Sequence, residues 1–332
     1  MHLLRFLIFV ANWQKLENVE QYLVGEKNNL AVKKCYGTIS PDSPEKVTDT
    51  TLFRLASMTK PISAIAALIL ENRGLISLDD SVDKYLPKFK DISIVDLNKN
   101  VIPATKIPTI RNLLSHTAGI GCLPEKLSLM TADDKKDLDS SIDFYVRNGL
   151  DFEPESTQIY SGTGAFNVLA KIIELVSQTD YLSFLKKEIF IPCNMPDTTF
   201  VPTDEQYKRL ISMHKREDNR NIVSKMPDGC IFENYPCTHY LGGAGLVSTL
   251  HDYCNFAMML LNKGTINGIK LVDEKIFNQI CTPQVAKEIM PQFDRWGLGV
   301  RVITEESYPY LPISAFGWSG AYGSHFWIDP KN

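Results

Sequence analysis

The chain has 332 residues, 44% of them hydrophobic, enough for a large core shared between two subdomains. Lys and Arg number 35 against 39 Asp and Glu, a net charge of -4 that leaves no polybasic footprint for nucleic acid. Seven cysteines, at 35, 122, 193, 230, 237, 254 and 281, form no Cys-x-x-Cys, and no histidines pair in a zinc motif; reduced buried thiols in a cytoplasmic compartment, and no metal, are expected.

The chain opens on the apolar run Leu3-Leu4-Arg5-Phe6-Leu7-Ile8-Phe9-Val10-Ala11. It is too short to span a bilayer, Arg5 interrupts a signal-peptide core, and no small-x-small cleavage site follows. A helix laying its apolar side on a sheet is expected. Tyr22 to Gly37 reads as a hairpin turning near Lys27 to Asn29. The next run, Ala56 to Leu70, is almost wholly apolar and reads as a buried helix ending near Gly74.

At the mouth of that helix stand Ser57 and Lys60, one turn apart and therefore on one face. The helix N-terminus favours an oxyanion and makes a neighbouring ammonium easier to deprotonate. A serine so placed can serve as nucleophile with lysine as its base, without a histidine. The bland alternative is an N-cap serine. The same spacing recurs at Ser81/Lys84, Ser183/Lys186 and Ser212/Lys215, but only Ser57 has a buried helix behind it and an apolar approach, Thr51 to Leu55, before it.

From Pro61 to Val176 the signals are mainly helical, interrupted by a loop from Leu97 to Pro108. Leu113 to Gly119 reads as a helix end turning at Gly119, which makes His116 structural. Ala165 to Val176 carries the stripe of a buried helix. Thr249-Leu250-His251-Asp252 is expected to be a capping box opening a helix through Leu261. Strand signals return over Gly297 to Ile303 and Ser314 to Ile328, placing Arg301 and His325 on surface sheet positions. Gly317-Trp318-Ser319-Gly320-Ala321 nearly mimics the nucleophile elbow of α/β-hydrolases, yet a strand pattern follows where that elbow needs a helix. The expected fold class is α+β: an antiparallel sheet flanked by helices, built from 1–56 and 245–332, and a mainly helical subdomain over 57–244, with the site between them.

Three segments together resemble the serine β-lactamase and penicillin-binding protein superfamily: Ser57-Met58-Thr59-Lys60, Tyr160-Ser161-Gly162 and Trp318-Ser319-Gly320. The second stands in the place of Tyr-x-Asn, the third in that of Lys-Thr-Gly or His-x-Gly. The class C β-lactamases, DD-peptidases and esterases of that fold are most similar, over about 20–330.

The resemblance implies a cofactor-free hydrolase in which Ser57 forms an acyl-enzyme and Tyr160, with Lys60, moves the proton. A free phenol titrates near 10, so ionising one near neutrality costs about 4 kcal/mol. One ammonium at about 4 Å supplies a term of that order; a neutral Lys60 acting as base is the other route. The N–H groups of Ser57 and Ala321 would form the oxyanion hole. Trp318, Ser319, Gly320 and Gly162 would touch substrate.

Two departures bear on specificity. Gly162 replaces the asparagine whose amide binds the substrate's amide and the lysine. Trp318 replaces the cation that binds the β-lactam carboxylate, leaving a flat apolar wall suited to an uncharged group. A small-molecule ester is thus expected ahead of an amide such as a β-lactam or D-amino-acid peptide; a catalytically silent scaffold is the reading from another class. The family pattern also continues with a return strand and a C-terminal helix where this sequence reaches Asn332, an absence that would leave a strand edge exposed or a gap in the sheet; either the chain is a fragment or the N-terminal apolar segment fills part of the space.

Overall fold

The computed structural model describes residues 6–11, 19–26, 29–40, 42–217, 220–223, 239–305 and 311–331. Its main sheet has seven strands, β1 (Phe6–Ala11), β2 (Val19–Glu26), β3 (Asn29–Gly37), β4 (Asp294–Trp296), β5 (Arg301–Ile303), β6 (Phe316–Ser319) and β7 (Ser324–Ile328). The order is β4-β5-β6-β7-β1-β2-β3, antiparallel throughout, so the two ends of the sequence build one sheet.

The opening apolar segment is a strand, not the expected helix. Phe6-Leu7-Ile8-Phe9-Val10-Ala11 is a short run of aromatic and branched residues, which suits a strand paired on both sides better than a helix. It pairs Phe6 with Ile328 of β7 and with Gly25 of β2. That pairing gives β7 a neighbour on each side. The β2–β3 hairpin turns as expected, with Glu26 opposite Asn29.

Five longer helices matter to the site: α1 (Thr59–Asn72), α2 (Ile110–Ser115), α3 (Leu138–Asn148), α4 (Gly164–Ser177) and α5 (Leu250–Leu261). Helix α1 is buried from Thr59 through Leu70, as its unbroken apolar sequence demands, and the chain leaves it at Gly74 with φ +68°. Helix α4 lies against α1, α2 and α3, while α5 lies against β1, β2 and β7. In α4 the expected stripe is buried except at its end, where Leu175 faces solvent at 46% exposure.

Two expectations about local structure need correction. The stretch from 97 to 108 is not all loop: Ser93–Val95 and Val101–Pro103 form a short hairpin. Thr249 does cap α5, accepting from the Asp252 N–H, but the box is only half made. The Asp252 carboxylate instead accepts from the Asp197 N–H and the Thr198 hydroxyl, a tertiary use that no local pattern reveals.

Cys122, Cys193, Cys254 and Cys281 carry free thiols; Cys230 and Cys237 lie outside the described residues. Burial pushes the Cys193 and Cys254 thiols up to about 12, which keeps them protonated and unreactive. No helix among the described residues is long and apolar enough to cross a membrane.

Candidate active site

Strand Leu52–Arg54, paired with Val247–Thr249, delivers the chain to Ser57. Ser57 is not an N-cap. It lies in a 3-10 turn, Ala56–Met58, and Met58 takes the cap position of α1 without any side-chain capping bond. The half-buried Ser57 hydroxyl is thereby released for other partners. Ala56, just before it, has φ +45°, a left-handed conformation costing an L-residue roughly 1–2 kcal/mol. Nothing in the local sequence marks this strain; the residue before it is held across the chain, the Leu55 N–H donating to Leu246 O at 2.9 Å.

Helix α1 turns Lys60 inward, where it is fully buried. Its Nζ donates to Gly162 O at 2.6 Å and to Gly243 O at 2.9 Å, and stands 3.4 Å from Ser57 Oγ. The two carbonyls fix two N–H bonds, so the third tetrahedral direction of the nitrogen is left for the serine. As an ammonium, Lys60 donates there; as a free amine, it presents its lone pair there. A Cβ on residue 243 would come within 3.3 Å of Nζ and 2.8 Å of Gly162 O, which is why the carbonyl cradle needs glycine at that position.

Tyr160, on the loop before α4, completes the cluster. Its hydroxyl donates to Ser57 Oγ at 2.7 Å, and Lys60 Nζ lies 4.9 Å from its ring centre. The ring stacks on Trp296 at 5.8 Å with planes 13° apart, and Trp318 stands 5.4 Å away. Hydroxyl, amine and phenol, from positions up to 103 residues apart, thus meet in one space.

Desolvation is the main cause that lowers the Lys60 pKa; Tyr160 opposes it through charge and hydrogen bonding. Between that lowered value and the ordinary lysine value, the unfolded chain binds more protons than the folded one. This contribution to stability therefore rises with pH across that window. Urea unfolding of the wild type and of Lys60→Met from pH 7 to 10 should show the wild type gaining relative to the variant as pH climbs. A difference that stays flat or shrinks would contradict the assignment.

The other expected site residues divide. Trp318 is next to Tyr160 and 4.4 Å from Trp296, and with them forms an aromatic wall. Ser319 lies opposite His325 and shares a 2.6 Å hydrogen bond with its Nδ1. Gly320 closes on the backbone before Ser57: a Cβ there would meet Leu55 O at 2.4 Å. Ala321, itself exposed, follows in the β6–β7 turn, which is seated two residues upstream of Ser57 through Gly320. At Gly162 a Cβ would meet nothing within 4 Å, so the place of the family's asparagine side chain is open. The backbone carbonyl of Gly162 meanwhile takes the bond to Lys60.

Two residues, Arg301 and His325, differ from their sequence reading, and His116 adds to its own. His116 does end α2, in a left-handed cap, yet it is also buried against Tyr160. Arg301 is not a free surface cation: its guanidinium binds the Asp294 carboxylate and lies 5.1 Å over the Trp296 ring. His325 is half-buried, and burial lowers its pKa. Trp296, a wall of the site, was missed; its only signal was a tryptophan just ahead of a strand pattern. Of the other Ser-x-x-Lys pairs, Lys84 is bound to Asp80 at 2.8 Å and Ser183 and Lys186 are exposed. Ser212 donates to Ile39 O at 3.1 Å.

The Beta-lactamase family model matches residues 21–332. Protein Rv1367c of Mycobacterium tuberculosis is 26% identical over 307 residues, covering 85% of this chain and 75% of its own length. A penicillin-binding protein of Bacillus subtilis is 31% identical over 182 residues, 53% of this chain and 36% of its own. Among solved structures, EstCE1, described as a hydrolase with promiscuous acyltransferase activity, superposes with a TM-score of 0.78 at 20% identity, covering 99% of this chain and 86% of that one. Simvastatin synthase LovD of Aspergillus terreus gives 0.76 at 19% identity with the same two coverages. These two likenesses carry the fold, which is that of the β-lactamases and penicillin-binding proteins.

Proposed function

Since the chain belongs to the Beta-lactamase family, whose members are serine hydrolases, we propose that it is an esterase-like acyl hydrolase acting through an acyl-enzyme on Ser57. Ser57 Oγ attacks the acyl carbon as its proton passes to the Tyr160–Lys60 pair, whose atoms stand at 2.7 and 3.4 Å. The N–H groups of Ser57 and Ala321 receive the negative oxygen. Tyr160 then hands the proton to the leaving alcohol, and the same pair activates the water that frees the acid.

The observation that carries the ester preference is the wall formed by Trp318, Trp296 and Tyr160. An indole stands where the family's carboxylate-binding cation would be, and Arg301 is already engaged by the Asp294 carboxylate. A carboxylate substrate entering here would be desolvated without a counter-charge, whereas an uncharged acyl or alkyl group would gain apolar contact. The open face at Gly162 removes one amide contact as well.

The likeness to a penicillin-binding protein supports hydrolysis of a β-lactam or D-amino-acid peptide as the second reading. Purified protein offered a short-chain p-nitrophenyl ester and a chromogenic cephalosporin separates the two. The expected result is ester turnover with kcat/KM at least about tenfold above that for the cephalosporin, since an unmatched charge costs more than about 1.4 kcal/mol. Faster cephalosporin turnover would reverse the ranking, and no turnover of either would favour a silent scaffold.

A further inference from the structure

His116 closes α2 with φ 60° and ψ 33°, a position glycine fills at least cost. What an imidazole adds is visible in its surroundings. The side chain is buried at 1% exposure, with ring centres of Trp296, Tyr160 and Phe166 at 4.2, 4.6 and 5.4 Å. Its Nδ1 accepts the Ser161 N–H at 3.1 Å. The N–H on the other side of Tyr160 is also held: with its amide oxygen turned inward, Gln158 accepts from Tyr160 N at 3.3 Å and from Trp296 Nε1 at 2.9 Å. The peptide groups flanking residue 160 are thus pinned from both sides, and the phenol ring rests on the imidazole.

Accepting at Nδ1 requires a neutral ring with its proton on Nε2. Burial favours that form, and so do the positive charges of Lys60 and Arg301 nearby; together they hold the His116 pKa well below the ordinary histidine value. The His116 Nε2 has no hydrogen-bond partner among the described residues, so its placement serves no second polar contact.

We propose that His116 is a positioning residue for the reaction at Ser57: its Nδ1 anchors the Ser161 peptide and its ring supports the Tyr160 phenol, fixing the phenolic oxygen over Ser57 Oγ. The role rests on reading Ser57 and Tyr160 as the reacting pair. A displacement of about 1 Å in such a group costs on the order of a hundredfold in rate. Binding of substrate does not depend on that oxygen, so the loss should fall on kcat.

The test uses the full chain with His116→Gly, which suits the cap but lacks the ring, and His116→Asn, which tolerates the left-handed backbone and returns an acceptor to Ser161. Ester turnover gives kcat and KM; the rate of Ser57 labelling by a fluorophosphonate reports nucleophile reactivity without any assumed substrate. Expected is a loss of about 30- to 100-fold in kcat and labelling for His116→Gly with KM within about twofold. Imidazole added to solution should recover part of it, and His116→Asn should lie between the two. Melting temperatures establish that both variants are folded; if His116→Gly does not fold, His116→Asn decides on the same readouts. Unchanged kcat and labelling in a folded variant, or a loss that neither imidazole nor asparagine relieves, overturns the role. A wild-type chain that is neither labelled nor active removes the Ser57 reading itself, and this role with it.

Discussion

Ser57→Ala should reduce ester hydrolysis to background, a fall of about 10⁵-fold or more, because the proposed covalent step runs through the Ser57 hydroxyl alone. The cost to folding should be small. The Ser57 hydroxyl is half-buried and caps nothing, and the variant removes one weak bond to Lys60 and one to Tyr160. Loss of such bonds at a half-exposed site amounts to about 1 kcal/mol. Activity and stability therefore separate. Mass spectrometry after mixing with the ester adds a second readout: the wild type should carry an acyl adduct on Ser57, and the variant none. Residual turnover in Ser57→Ala above about one part in a thousand would point to another nucleophile.

Tyr160→Phe is the second large effect, and it decides between two proton routes. The variant keeps the ring that stacks on Trp296 and touches Trp318 and His116, so the wall and the fold should persist. Only the oxygen at 2.7 Å from Ser57 is lost. If that oxygen carries the proton, kcat should fall by about 10²–10⁴ with KM little changed. If instead Lys60 alone is the base, its nitrogen at 3.4 Å remains in place and the fall should stay under about tenfold. The geometry favours the phenol, since it makes the shorter contact, 2.7 Å against 3.4 Å. Steady-state kinetics of a folded variant, judged by its melting curve, suffice to choose.

Those expectations concern groups that the sequence brought forward unequally. Ser57 and Lys60 were legible together because a helix places residues three apart on one face, and the apolar run behind them can only be a buried helix. Tyr160 was not legible from its own neighbourhood; it stood out through a family likeness spanning three segments. The sheet was readable at the level of which ends of the chain compose it, since alternation and turn residues act locally. The first strand was misjudged for a related reason: an apolar stretch of that length looks alike as strand or helix until its partners are known. Its partners, β7 and β2, bring residue 6 beside residue 328, a contact no local window contains.

Local chemistry in the chain therefore determined the buried helix that carries Ser57 and Lys60 and the α+β class, because propensity, periodicity and i,i+3 spacing act within a few residues. Tertiary structure alone decided the strained backbone at Ala56, the carbonyl cradle of Lys60, the pairing of Arg301 with Asp294, and the imidazole lodged against the phenol. Each of these depends on desolvation or on atoms meeting across long stretches of chain, energies that exist only once the core has closed.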